Sequence, residues 1–348
     1  MWQAIKTAFG FGPDARRETV RKLASGPKPN VRRIIAALRD PDAGVRQAAA
    51  HALGRLKDAR ARDPLLRALW DPDAGVRARA ADALHALGWR PESKADRALE
   101  AVARADFQIA ATFGAAALEP LIAALEAGPS SVRISVIEAL GSIRDPRVST
   151  ALISALKFQD PTVRVAVMEA LGRTREAPDV AALLARLNDP AFNVRVAAIE
   201  SLGEIGDAAA VEPLIARLLD GAWQVRMAAV EALGKLDDPR AVEALINALN
   251  DTDLDVCEAA AHVLGRRQIK AGIGPLVRAL MHRHAPLANA AAAALPRIEP
   301  DWHLTPAARE LLPELQAVAA QYEQRQRHVA AEAAAKIEQG LGAAPGNH

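Results

Sequence analysis

Apolar residues along the chain fall at helical spacing, and the same cluster of positions returns at a fixed interval. Val45 recurs as Val76, Val132, Val163, Val194, Val225 and Val256, and apart from one gap every step is 31 residues. Most copies continue alike: Val45-Arg46 with Leu53-Gly54, Val132-Arg133 with Leu140-Gly141, Val163-Arg164 with Leu171-Gly172, Val194-Arg195 with Leu202-Gly203, and Val225-Arg226 with Leu233-Gly234. A period of this length marks one supersecondary unit stacked on copies of itself, so the chain reads as a solenoid and not as a globule around one centre.

Each unit opens on a first helix, as in Pro120 to Leu125, Leu183 to Leu187 or Pro213 to Leu218. A turn follows, carrying Asp40-Pro41-Asp42, Asp71-Pro72-Asp73, Asp160-Pro161 or Asp189-Pro190. Asp accepts backbone N–H bonds at a helix start, and Pro fits the first helical turn. The second helix begins near the Val-Arg pair, with Val45, Ala48, Ala49, Ala52, Leu53 and Leu56 on one side. Gly54 lies away from that stripe, where a missing side chain lets another helix approach.

The pattern breaks after Leu87-Gly88 at Trp89-Arg90-Pro91 and resumes at Glu119-Pro120. Leu99, Val102, Phe107, Ile109 and Phe113 keep this segment apolar, so it is expected to bury them in an irregular repeat. Beyond Val256 the pattern decays, with Leu287-Ala288 in place of Val-Arg and Leu295-Pro296 in place of Leu-Gly. The expected organisation is an N-terminal capping segment over 1–29, two repeats over 30–88, a degenerate repeat over 89–118, and six repeats over 119–300, the last degenerate. Capping helices follow over 301–340, then a disordered tail over 341–348.

Aromatics make up 3% of the 348 residues, which suits close-packed helix pairs better than a sandwich or a doubly wound sheet. The one cysteine, Cys257, excludes an internal disulfide and an iron–sulfur cluster. Together with an N-terminus poorly built for a secretory signal, it points to a cytoplasmic setting. No run approaches the ~18 apolar residues that span a bilayer. Trp2, Ile5 and Phe9 share a helical face that would either cap the first repeat or rest on a membrane surface. Net charge is +2, but residues 1–99 hold 20 Lys/Arg against 11 Asp/Glu, while residues 100–300 hold 20 against 25.

Asp-Pro in the turn, Val-Arg opening the second helix, and Ala-Ala then Glu-Ala-Leu-Gly along it resemble the HEAT repeats of the short, phycobilin-lyase-like class. The resemblance runs from about Asn30 to Pro300. It implies an all-α fold, a right-handed α-solenoid of HEAT-like helix pairs, about eight of them. It does not fix a function, because this repeat serves unrelated activities. Deoxyhypusine hydroxylase, a HEAT protein, binds iron through His-Glu dipeptides, and none of the eight histidines here precedes Glu. Epoxyqueuosine reductases need an iron–sulfur domain that one cysteine cannot supply. Phycobilin lyase subunits stay open on repeat similarity, although no residue singles out a bilin.

Arg46, Arg77, Arg133, Arg164, Arg195 and Arg226 recur at the repeat spacing. They are expected to form a structural ladder with turn carboxylates such as Asp42, Asp73, Asp160 or Asp189, a phosphate-binding row being the alternative. Cys257 takes the next slot, where the ladder should end. Glu138, Glu169, Glu200 and Glu231 fall at one position of successive second helices, ~10 Å apart at ordinary packing distance, too far for a shared-proton pair. Glu169 to Arg173 and Glu231 to Lys235 also stand at ion-pair spacing along one helix. Two residues before the repeat Val the chain changes from Ala43, Ala74, Ser130 and Pro161 to Phe192, Trp223 and Leu254. Two after it come Val165, Val196 and Met227. These large apolar groups point away from the helix-pair core and make a candidate patch on the concave face.

Arg16, Arg17, Arg21, Lys22, Lys28, Arg32 and Arg33 form a basic start that suits phosphate or anionic lipid. His282-x-His284 with His303 lacks a carboxylate at ligand spacing, and no phosphate-binding loop or nucleophile elbow occurs. No cofactor or metal is therefore expected. The expected function is a non-catalytic protein-interaction scaffold, with the apolar residues as anchors and the glutamates setting charge preference. A bilin-lyase-like or other enzyme-associated subunit and nucleic-acid binding through the basic start are the alternatives.

Overall fold

The computed structural model describes residues 12–174, 177–321 and 324–342. The Trp2, Ile5 and Phe9 face and the end of the C-terminal tail lie outside them. The chain divides into two compact units, Met1–Glu176 and Ala177–His348, and the described residues hold helices and no strand.

In the first unit α1 (Pro13–Ser25) precedes the pairs α2 (Val31–Ala37) with α3 (Ala43–Leu56) and α4 (Arg62–Ala68) with α5 (Ala74–Ala86). Then come α6 (Lys94–Ala103), α7 (Phe107–Ala111), α8 (Leu118–Ala127), α9 (Ser130–Leu140), α10 (Arg147–Ser154) and α11 (Pro161–Thr174). The second unit holds α12 (Ala177–Arg186) with α13 (Phe192–Ile205), α14 (Val211–Arg217) with α15 (Trp223–Leu236), α16 (Val242–Asn247) with α17 (Leu254–Arg266), and α18 (Ile273–Ala279) with α19 (Ala285–Ile298). It ends in α20 (Pro306–Glu310), α21 (Leu312–Gln321) and α22 (Gln324–Gly342).

Second helices stack directly on one another: α3 on α5, α9 on α11, and α13, α15, α17 and α19 in series. Val45, Ala49, Ala52 and Leu53 are buried in α3, and their counterparts Val225, Ala229, Ala232 and Leu233 in α15. Each buried Leu or Val contributes roughly 1.5–3 kcal/mol. Gly54 is fixed by the stacking, because a Cβ there would stand 2.8 Å from the Cα of Ala83 on the next second helix. Second helices end in left-handed backbone at Lys57, Gly88, Gly206, Asp237 and Gln268, a repeat position of its own.

Arg46, Arg195 and Arg226 hold turn carboxylates other than the capping aspartates. Asp42 and Asp73 cap their own helices, accepting from Val45 N and Val76 N at 3.0 and 2.9 Å. The arginines reach instead to the first Asp of the following turn. Arg46 grips Asp71 with Nε and Nη2, both at 2.8 Å, and donates Nη1 to the carbonyls of Asp40 and Pro41. Arg195 does the same to Asp220, and Arg226 to Asp251. The hydrogen bonds that Arg46 donates to Asp71 raise its pKa against the opposing effect of burial.

Where the next turn offers no such carboxylate, the arginine adapts. Arg77 donates only to the carbonyls of Asp71 and Pro72, and burial lowers its pKa. Arg133 lies over the Phe158 ring, 3.8 Å from its centroid, while Asp160 accepts from Thr162. Arg164 makes the own-turn bonds of the other ladder arginines, to the carbonyls of Phe158 and Gln159, and Asp189 stands 25 residues on, at the ladder spacing. The ladder ends at Cys257, whose thiol donates to the Asp251 carbonyl at 3.3 Å.

Two expectations need correction. Arg16 does not belong to a free basic surface: it is 5% exposed and holds Asp40 through two bonds of 2.9 Å. Since α1 also packs on α3, it behaves as the second helix of a preceding half-unit. In the interruption, a Ser93–Asp96 capping box starts α6, and Val102 and Phe107 are buried, but Ile109 is 56% exposed. Helix α7 has only five residues, so a single face meets its neighbours and Ile109 falls off it.

Candidate recognition surface

The apolar candidates divide by burial. Phe192 and Trp223 are 46% and 37% exposed, while Leu254, Val165, Val196 and Met227 are half-buried. Phe192 and Trp223 are the first residues of α13 and α15, which pack on each other, so the two rings occupy the same repeat position on adjacent helices. Leu219, in the turn ahead of Trp223, is 89% exposed.

The local sequence that exposes these rings also gives up a cap. In α3 and α5 the residue before the helix is Asp42 or Asp73, and its side chain accepts a backbone N–H. Before α13 and α15 the same position holds Ala191 and Ala222, neither of which caps. Losing an Asp cap costs about 1 kcal/mol. Asp189 and Asp220 still shape the turns, accepting from Ala191 N and Ala222 N at 3.0 Å. The helix starts are therefore held rigidly, yet less stably than the repeat allows, with large rings in water.

The glutamates do not make a row of free carboxylates. Glu231 accepts from Arg266 at 2.6 Å, and Lys235 turns to Glu204 at 2.5 Å, so neither forms the expected pair along its own helix. The neighbouring second helix presents an opposite charge within reach of each, and that contact wins. Glu200 is likewise engaged. Glu138 and Glu169 are exposed and, among the described residues, have no ion pair.

Trp70 and Leu219 lie six residues before the repeat Val, outside the flanking positions that carry Phe192, Trp223 and Met227. Trp70 is 47% exposed and stands directly before ladder acceptor Asp71, as Leu219 stands before Asp220. That turn slot otherwise holds Arg39, Glu126, Lys157, Asn188 and Asn250, so a large apolar residue there is the signal. No group of three or more His, Cys, Asp or Glu among the described residues could hold a metal, and none of their helices is long and apolar enough to cross a membrane.

Stacked helix pairs with an arginine ladder define the class, an all-α repeat solenoid. The chain belongs to the HEAT repeat family, whose model matches residues 11–85, 34–112, 118–192 and 180–265. No curated protein matches it. Among solved structures it is similar to an engineered protein at 20% identity and a TM-score of 0.46, covering 98% of both chains. Kap121p is similar at 15% identity and a TM-score of 0.48, over 97% of this chain and 41% of that one. The complex of CpcE and CpcF of phycocyanin lyase from a Nostoc species follows at 20% identity and a TM-score of 0.32, over 91% of this chain and 97% of that one.

Proposed function

We propose that this chain is a protein-recognition scaffold whose second unit docks a partner on the turn end of α13 and α15. The observation that carries this reading is the exposure of Phe192 and Trp223 at one repeat position, where the first unit has Ala43 and Ala74. Rigid, amphipathic aromatic groups on a preformed surface are what interface hot spots use. The partner would bury aliphatic or aromatic side chains against the two rings and Leu219.

Capture from lysate of the source organism, comparing wild type with a Phe192→Ser/Trp223→Ser variant of unchanged helicity, tests it. A protein held by the wild type and lost by the variant is then titrated calorimetrically against Trp223→Ala, with an expected loss of about 2 kcal/mol. Identical captures, or an unchanged affinity, overturn the reading.

A further inference from the structure

The first unit contains a half-open groove of about 620 Å³ between α1, α3 and α5. Arg17 and Arg21 line it from α1, His51 and Arg55 from α3, and Arg79 from α5, with Ala48 and Ala52 on its floor. No Asp or Glu is among the described residues that line it. The repeat explains how the charge collects. His51 takes the position that carries Glu138, Glu169, Glu200 and Glu231 in later units, and Arg79 takes one that holds Ala48, Ala166, Ala197 or Ala228 elsewhere.

The charges are poorly neutralised. Arg17 and Arg21 meet only Asp14 and Glu18 on their own helix, at 2.6 and 3.5 Å on the exposed side. Such pairs contribute little. Arg55 and Arg79 are exposed and, among the described residues, have no hydrogen bond or ion pair. The Arg17 Nε is buried without an acceptor, an orphaned donor at the groove wall. Folding gains nothing from converging guanidinium groups, whose fork of donors fits oxyanions.

We infer that this groove binds an acidic protein segment, an extended run of carboxylate side chains. The choice of a peptide rests on the proposed role in protein recognition, whereas anion binding rests on the groove itself. A half-open groove with Ala24, Ala48 and Ala52 among its lining residues leaves room for a backbone between the arginines. No Phe, Trp or Tyr lines it to stack a base, which sets it apart from the platforms that hold single-stranded nucleic acid.

Fluorescence anisotropy with a labelled dodeca-glutamate peptide tests this on the full chain, in parallel with a labelled oligothymidylate of equal length. The wild type is expected to bind the peptide saturably with a Kd below about 1 mM, and more weakly as salt rises from about 50 to about 200 mM. Arg55→Gln/Arg79→Gln, both at exposed positions, is expected to weaken binding by about fivefold or more. Ala48→Glu, which keeps every arginine and puts a carboxylate on the floor, is expected to do the same. Phe192→Ser/Trp223→Ser should bind the peptide as the wild type does, so failure of the recognition surface and failure of the groove are read separately. Absence of saturable binding, or a smaller loss in both groove variants, overturns the inference. Tighter binding of oligothymidylate, lost in the same variants, overturns it in favour of nucleic acid.

Discussion

Arg46 holds Asp71 through two bonds of 2.8 Å across 25 residues of sequence, joining the second helix of one repeat to the turn of the next. Both side chains are about nine-tenths buried, at 12% and 9% exposure. The same guanidinium also satisfies two carbonyls of its own turn. One side chain thus sets both the turn shape and the register between repeats.

Removing it should therefore be costly. Arg46→Ala leaves Asp71 buried without its partner, and the expected loss is about 3 kcal/mol. Arg133→Ala, which removes a ring contact and carbonyl bonds but strands no carboxylate, should cost about 1 kcal/mol. Urea unfolding of the two variants, with native-state hydrogen exchange to localise the loss, checks the order. Equal losses would mean that the carboxylate contributes nothing.

How much of this could be read in advance depends on whether the feature repeats. The 31-residue recurrence identified the helix pairs, the close approach at Gly54 and the end of the ladder at Cys257. It failed where one residue departs from its column. Arg16 precedes Arg46 by 30 residues without the Val that marks the later units, so it read as surface charge. The Glu231 to Arg266 pair crosses between helices, and spacing along a single helix does not show it. The groove was invisible for the same reason, since Arg21, Arg55 and Arg79 hold different repeat positions and meet only in the stack.

Gly54→Ala places a Cβ 2.8 Å from the Ala83 backbone, so the two second helices must separate. The expected destabilisation is about 1–3 kcal/mol. Gly221→Ala, with nothing within 4 Å of the new methyl group, should change stability by no more than about 0.5 kcal/mol. Thermal unfolding of the pair separates the cost of close approach from the general effect of adding a methyl group to a glycine.

The left-handed residue that ends α3 is Lys57, with φ of 50° and an exposed side chain. Gly206 takes the same repeat position at φ of 79°. Lys57→Gly removes the Cβ penalty of that conformation and should stabilise by up to about 1 kcal/mol, a gain readable in the urea midpoint. A loss would show that Lys57 makes a contact worth more than its strain.

Acid should loosen the links between repeats. The side-chain hydrogen bond from Arg60, helped by the Arg60 N–H and charge, lowers the Asp58 carboxyl from 3.8 to about 2. Asp145 beside Arg147 and Asp238 beside Arg240 are lowered to about 2 in the same way. A carboxyl whose folded pKa is depressed contributes stability that is complete above its unfolded pKa and lost as pH falls through the folded one. The loss therefore runs from about pH 4 down to about pH 2. Carboxyl carbon shifts should show the three late-titrating aspartates, and Asp58→Asn should flatten the acid limb of helicity. Ordinary titration of all three would refute the pairing.

The end of the ladder is the strictest test of its logic. Cys257 fills the arginine slot, and the residue 31 beyond Asp251 is His282, so no carboxylate waits in the next turn. Burial raises the Cys257 thiol pKa, which keeps it a neutral donor to the Asp251 carbonyl. Cys257→Arg would bury a guanidinium with carbonyl partners alone, the situation of Arg77, whose Nε has no acceptor. Its expected cost is about 2 kcal/mol. Adding His282→Asp supplies the missing acceptor, so the double variant should recover at least about 1 kcal/mol of that loss in a double-mutant cycle. Additive losses would show that the turn after α18 cannot carry a carboxylate to the arginine, and that the final pair differs from the others in geometry as well as in sequence.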